Sequence, residues 1–300
     1  MPNYLILRLV ASGHFAGLDV KLPHGRLGWV AWRPKDASPV EYQGQPEGRL
    51  TLRLDSGYDA REGQWIAEVL SALLDLAHGP LGITLAVTEV TDAALEEGVV
   101  DAAVLAEQFD VLDERWADLG HGWWPTDDPI RDVVDALPAV LATSPDHDHG
   151  LPAALLYYKL STAEFSFLGD SISWALSDEG RRPSESAYER QRVETAFHNA
   201  FKAIEALVGG EPNNDDRRFR GRLEAVGVDP DELVGFRGQT REALFDVLKR
   251  IRGTRDQRAA HAGRTGARRG ISYYELMEAQ YGAAAALGHA VLHVAPPRSR

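Results

Sequence analysis

The 300-residue chain contains no cysteine, which removes a disulfide framework, a thiolate nucleophile and thiolate-bound zinc or iron–sulfur clusters from consideration. Any catalysis must rest on other groups. The chain also lacks a run of about 18 apolar residues, the length needed to cross a membrane. Its first residues, Met1-Pro2-Asn3-Tyr4, lack the basic start and apolar stretch of a secretory signal. The expectation is a cytoplasmic protein without membrane contact. A Gly-Lys-Ser phosphate loop, a dinucleotide glycine fingerprint and a Gly-X-Ser-X-Gly elbow are missing too. These gaps disfavour nucleotide hydrolases, dehydrogenases and serine hydrolases, and no cofactor is called for.

What the chain does have is 44% hydrophobic residues, enough to bury a sizeable core in two domains of ordinary size. Its net charge of −13 argues against a nucleic-acid partner if spread evenly, because phosphate binding relies on local positive potential. It is not spread evenly. From Asn213 to Gly270 there are fourteen Arg or Lys against nine Asp or Glu, an excess of five positive charges that leaves −18 on the remainder. Helix surfaces are also arginine-rich for solubility and ion pairing alone.

The pattern predicts an α+β protein, with a small antiparallel sheet in the N-terminal section followed by a mainly α-helical bundle. Tyr4–Val10, Leu27–Trp32, Leu50–Leu54 and Ile83–Val90 read as strands separated by Pro and Gly. Gln64–His78 has helical spacing and stops at Gly79-Pro80. Ala93–Trp116 and Ile130–Ala142 can be written as helices, with loops at 120–125 and 144–150. The second loop sets the expected boundary between an α+β domain, 1–145, and a helical domain, 151–296. Within the latter, helices are expected over Ser184–Leu207, over Arg217–Val226, from Arg241 with Leu244, Val247, Leu248 and Ile251 inward, and over Tyr273–Val294. No internal repeat is visible.

Arg255 continues the inward stripe of the third of these helices and opens the run Arg255-Asp256-Gln257-Arg258-Ala259-Ala260-His261. A guanidinium stays charged at any biological pH and an imidazole titrates near neutrality, so the pair can bind a phosphate and move a proton without a metal. In one unbroken α-helix the two side chains lie about 120° apart around the axis. Convergence therefore needs the helix to end near Ala260, or a site shared between two copies of the chain.

The segment from Glu194-Thr195-Ala196-Phe197-His198 through Ile204-Glu205-Ala206-Leu207, with the Arg-x5-His motif and the closing helix, resembles HEPN domains over residues 151–294. The resemblance implies a HEPN-like bundle that dimerises so that two motifs face each other in a basic cleft and cut RNA without metal, as a toxin or defence effector with an antitoxin or defence partner protein. Arg255 then holds the scissile phosphate, His261 acts as general acid or base, and Asp256 orients one of them. Arg252, Arg258 and Arg264 supply the surrounding RNA-binding charge, and Glu194 and His198 line the cleft. The alternative is a non-catalytic RNA-binding, protein-binding or dimerisation module. In it Arg255 pairs with an acid on a neighbouring helix and His261 caps a helix C-terminus.

Other groupings point less directly to chemistry. Asp146-His147-Asp148-His149 offers metal-type ligands, but adjacent residues rarely converge on one ion. His289 and His293 have the i, i+4 spacing of a zinc helix without the intervening glutamate, so no metal is expected. Trp123-Trp124 suits either stacking on bases or a buried anchor.

Overall fold

A computed structural model describes residues 3–9, 19–22, 25–32, 47–55, 57, 60–78, 85–89, 136–144, 149–167, 170–210, 215–235, 241–259 and 270–295. The chain divides into two compact units, one of residues 1–71 and 83–138 and the other of 72–82 and 139–300. The division falls at 138–139, and a short earlier piece, 72–82, groups with the second unit.

The first unit holds five antiparallel strands, β1 (Asn3–Leu9), β2 (Asp19–Leu22), β3 (Gly25–Trp32), β4 (Glu47–Leu54) and β5 (Leu85–Glu89), in the order β2-β3-β4-β1-β5. In the β3–β4 register Leu27 stands opposite Leu52, and both are fully buried. β2 escapes a sequence reading because it is four residues long with two charges, which is how natural sheets blunt an edge. Its Lys21 is exposed while Leu22 is buried. Helix α1 (Ala60–His78) buries Ile66, Val69, Leu70, Leu73 and Leu74, the spacing that marked it in the sequence. The expected helix at 93–116 and the Trp123-Trp124 loop lie outside the described residues.

Helix α2 (Leu137–Ala142) runs across the division at 138–139, and the second unit contains α3 (Gly150–Glu164), α4 (Asp170–Ala175), α5 (Ala187–Leu207), α6 (Asp216–Ala225), α7 (Leu244–Thr254) and α8 (Tyr273–Val294). Local chemistry fixes the ends. Ser186 caps α5 by accepting the Glu189 amide, Asp215 caps α6, and Ser272 with Glu275 forms a capping box at α8. α7 begins at Leu244 rather than near Arg241 because Glu242–Ala243 (β7) pairs with Leu233–Val234 (β6). α3 packs against α5, and both pack against α8. At the α7–α8 crossing a β-carbon on Gly282 would sit 2.8 Å from the tip of Ile251, so the missing side chain is what lets the helices approach.

Polar groups inside this bundle are tied together. Gln280 Nε2 donates to the Ser161 carbonyl at 3.2 Å, the Ser161 hydroxyl at 3.0 Å and the Phe165 carbonyl at 2.7 Å. The Ser161 hydroxyl donates in turn to the Ala196 carbonyl at 2.6 Å. This chain joins α3, α5 and α8 at one point. Arg250 donates to Glu278 on α8 and to Glu242, so the buried Glu278 carboxylate is not left as a lone charge. Burial, then a hydrogen bond to Glu189, pushes the Tyr273 phenol up to about 12 and anchors the start of α8 to the start of α5.

Gln280→Leu keeps the volume but removes the donor from two backbone carbonyls and a hydroxyl. Its unfolding free energy should fall by about 1–3 kcal/mol, seen as a lower urea midpoint at unchanged slope. An unchanged midpoint would show that the buried junction contributes nothing to stability.

Candidate functional site

α7 does not continue as an α-helix beyond Thr254. Residues Arg255–Ala259 form a single π-helical turn, with bonds reaching five residues instead of four. The 120° separation expected for an unbroken helix therefore does not apply to the motif. Such turns sit disproportionately at functional sites because they re-aim the side chains they carry. Here the turn packs against α5.

Arg255 lies over the Phe201 ring with its guanidinium carbon 5.1 Å from the centroid. Its Nη1 donates to Asp256 Oδ1 at 3.0 Å, and its Nη2 stands 3.9 Å from Glu205 Oε1, an ion-pair separation too long for a hydrogen bond. About a quarter of the Arg255 side chain remains solvent-accessible. Glu205 and Phe201 were not singled out in the sequence. The signal was present, since both share the α5 face with Glu194 and His198 at steps of three, four and seven.

His198 is half-buried on that face. Its pKa is held below the ordinary histidine value, first by burial, which disfavours the cation, and then by the positive charges of Arg255 and Lys202; Glu194 works the other way. The imidazole is consequently neutral at pH 7 and able to accept a proton. One turn earlier on α5, Ala187, Arg190, Gln191, Glu194 and Gly270 line a concavity of about 500 Å3.

The remaining expected site residues fall differently. Arg252 is buried, its Nη2 bonded to Asp216 at 2.7 Å and its guanidinium 5.7 Å from the Phe219 ring centroid. It holds the start of α6 against α7, so the placement does not suit a role in contacting RNA. Arg258 belongs to the π-turn by its backbone, and its side chain lies outside the described residues, as do His261 and Arg264. His289 faces Glu232, and His293 packs so closely on Gly227 that a β-carbon there would collide with it. Of the Asp146–His149 run only His149 is described, directly before α3. Among the described residues no group of three or more His, Asp or Glu could hold a metal ion, and no helix is long and apolar enough to cross a membrane.

The charges around His198 set a pH test with a definite sign. Arg255→Met removes a cation that opposes protonation, so the His198 ring resonances should titrate at higher pH than in the parent chain. Glu194→Gln removes the opposing anion and should move the titration lower still than in the parent. Proton NMR of the two variants checks both directions, and identical titrations would mean that neither charge reaches the imidazole.

Compared with family models, with curated proteins and with solved structures, the chain finds no match in any of the three. The site therefore has to be interpreted from its own chemistry.

Proposed function

We propose that the helical unit is a metal-independent endoribonuclease of HEPN type. The observation that carries this reading is the π-turn, which seats Arg255 on the α5 face that also presents a neutral imidazole, His198. A fixed guanidinium beside titratable groups suits a reaction in which a phosphate gains charge while protons move. In this mechanism Arg255 neutralises the developing charge on the phosphoryl oxygens, with Asp256 fixing its orientation. A histidine takes the proton of the ribose 2′-hydroxyl as that oxygen attacks phosphorus. The 5′-oxygen leaves with a proton from a second acid, and a 2′,3′-cyclic phosphate remains. His261 serves as one of these proton carriers, and a second copy of the chain completes the cleft. A cytoplasmic toxin or defence effector restrained by a partner protein is the setting that fits such an activity.

A second reading is favoured by one specific observation: Arg255 already has Asp256, Glu205 and Phe201 as neighbours, the set expected of a structural ion pair that docks the turn on α5. On that reading the unit binds RNA or protein, or dimerises, without turnover.

Incubation of the full chain with mixed RNA in excess chelator separates the two. The nuclease reading expects fragments ending in cyclic phosphate, with the rate reduced about 100- to 1,000-fold in Arg255→Ala, the usual loss of one transition-state charge contact. His261→Asn should cost a similar factor, within the range of about 100- to 10,000-fold for a general acid or base. Salt-sensitive RNA binding without fragments would leave the non-catalytic module standing. Cleavage unchanged in both variants would remove Arg255 and His261 from the chemistry.

A further inference from the structure

The concavity at the start of α5 and the Arg255 centre lie on one continuous face of a single helix. At about 100° per residue, Ala187, Arg190, Gln191, Glu194, His198, Phe201, Lys202 and Glu205 all fall within about 60° of one direction. Glu194 lines the concavity, and His198, whose titration it influences, follows one turn later. Phe201 and Glu205, against which Arg255 packs, come within the next two turns. At about 1.5 Å per residue, the middle of the concavity and the Arg255 contact are separated by about 20 Å along the axis, a span of a few nucleotides of extended single strand.

The chemistry along this face is graded. Arg190 and Gln191 are exposed and Glu194 is half-buried, and the three make no side-chain hydrogen bond or ion pair among the described residues. Gly270 forms the opposing wall, close enough that a β-carbon there would stand 3.4 Å from Arg190 and 3.5 Å from Glu194. A cation, a carboxamide and a carboxylate lining one hollow form a set that can satisfy the hydrogen-bonding edge of a nucleobase and its phosphate. Arg190 meets the phosphate, Gln191 offers both a donor and an acceptor, and Glu194 accepts from a ring or exocyclic N–H. Those base edges are occupied in a duplex and free only in an unpaired strand.

We propose that the Arg190–Gln191–Glu194 concavity is a base-binding subsite that makes the unit select single-stranded RNA and feeds the neighbouring phosphate toward Arg255. The substrate strand runs along α5, with one unpaired base seated in the hollow and the chain passing His198. The proposal rests on the nuclease reading for its direction of feed, but the subsite itself is a binding claim and is tested by binding.

The probe is a fluorescent 12-nucleotide RNA, fully 2′-O-methylated so that it cannot be cut, offered to the full chain either alone or annealed to its complement. Fluorescence anisotropy is read at several salt concentrations. The parent chain should bind the single strand at least about tenfold more tightly than the duplex. The double substitution Arg190→Ala with Gln191→Ala, both at exposed positions that leave the core intact, should weaken single-strand binding by about tenfold and lower the salt slope by about one unit. Equal affinity for single strand and duplex, or undiminished binding by the double variant, overturns the subsite. Cleavage of unmodified RNA in parallel keeps the two ideas apart. Binding that depends on Arg190 and Gln191 without any cleavage upholds the subsite and removes the nuclease reading. Cleavage with the same kcat and KM in the double variant removes the subsite and leaves the nuclease reading intact.

Discussion

The hydrogen bond from Ser161 to the Ala196 carbonyl, secured by Gln280, is the constraint on which the geometry of the helical unit depends. Ala196 lies between Glu194 and His198 in sequence but on the opposite side of α5, at about 160–180° from the face that meets the π-turn. A polar junction there fixes how α5 is rotated. Apolar packing of Phe197, Ala200 and Ile204 tolerates sliding far better than a buried amide with three acceptors does. The face carrying Glu194, His198, Phe201 and Glu205 is therefore held toward Arg255 by an interaction that none of those residues makes.

The arginines of α7 and its extension divide the labour. Arg250 and Arg252 point into carboxylates on α8, β7 and α6 and brace α7 from several directions. Lys249 adds a further bond to Asp216, whose carboxyl is held below its ordinary value by that contact and by Arg252. Asp216 and Glu242 are already among the nine acids of that segment, so of these partners only Glu278 draws on its positive excess. Arg255 differs: it is one of the few cations in this run seated on an aromatic ring with solvent still at its side.

Much of the fold was legible in the sequence because it is written in local rules. α8 runs over the expected span from Tyr273 to Val294, and the apolar stripe of α5 is buried where its spacing placed it. The start of α5 was placed early at Ser184 because a serine two residues later, Ser186, makes the cap. α3 could be read only as generally helical. Its buried residues include Leu151, Ala153, Ala154, Leu155 and Tyr158, so it is enclosed on several sides and shows no single apolar stripe. At the site, Arg255 and Asp256 stood out by type and spacing. The π-turn did not, because nothing in Arg255-Asp256-Gln257-Arg258-Ala259 breaks a regular helix by propensity. Nor did the role of Arg252, whose partner Asp216 lies 36 residues away. Pairings of that kind depend on the tertiary fold.

A π-turn amounts to one residue too many in a helical ladder. Restoring the tighter bonding of an ordinary helix at unchanged length would rotate the end of the turn by about 100° around the axis, whereas excising the extra residue would restore that bonding and leave the phase as it is. What the turn presents therefore depends on how many residues it holds as well as on which they are.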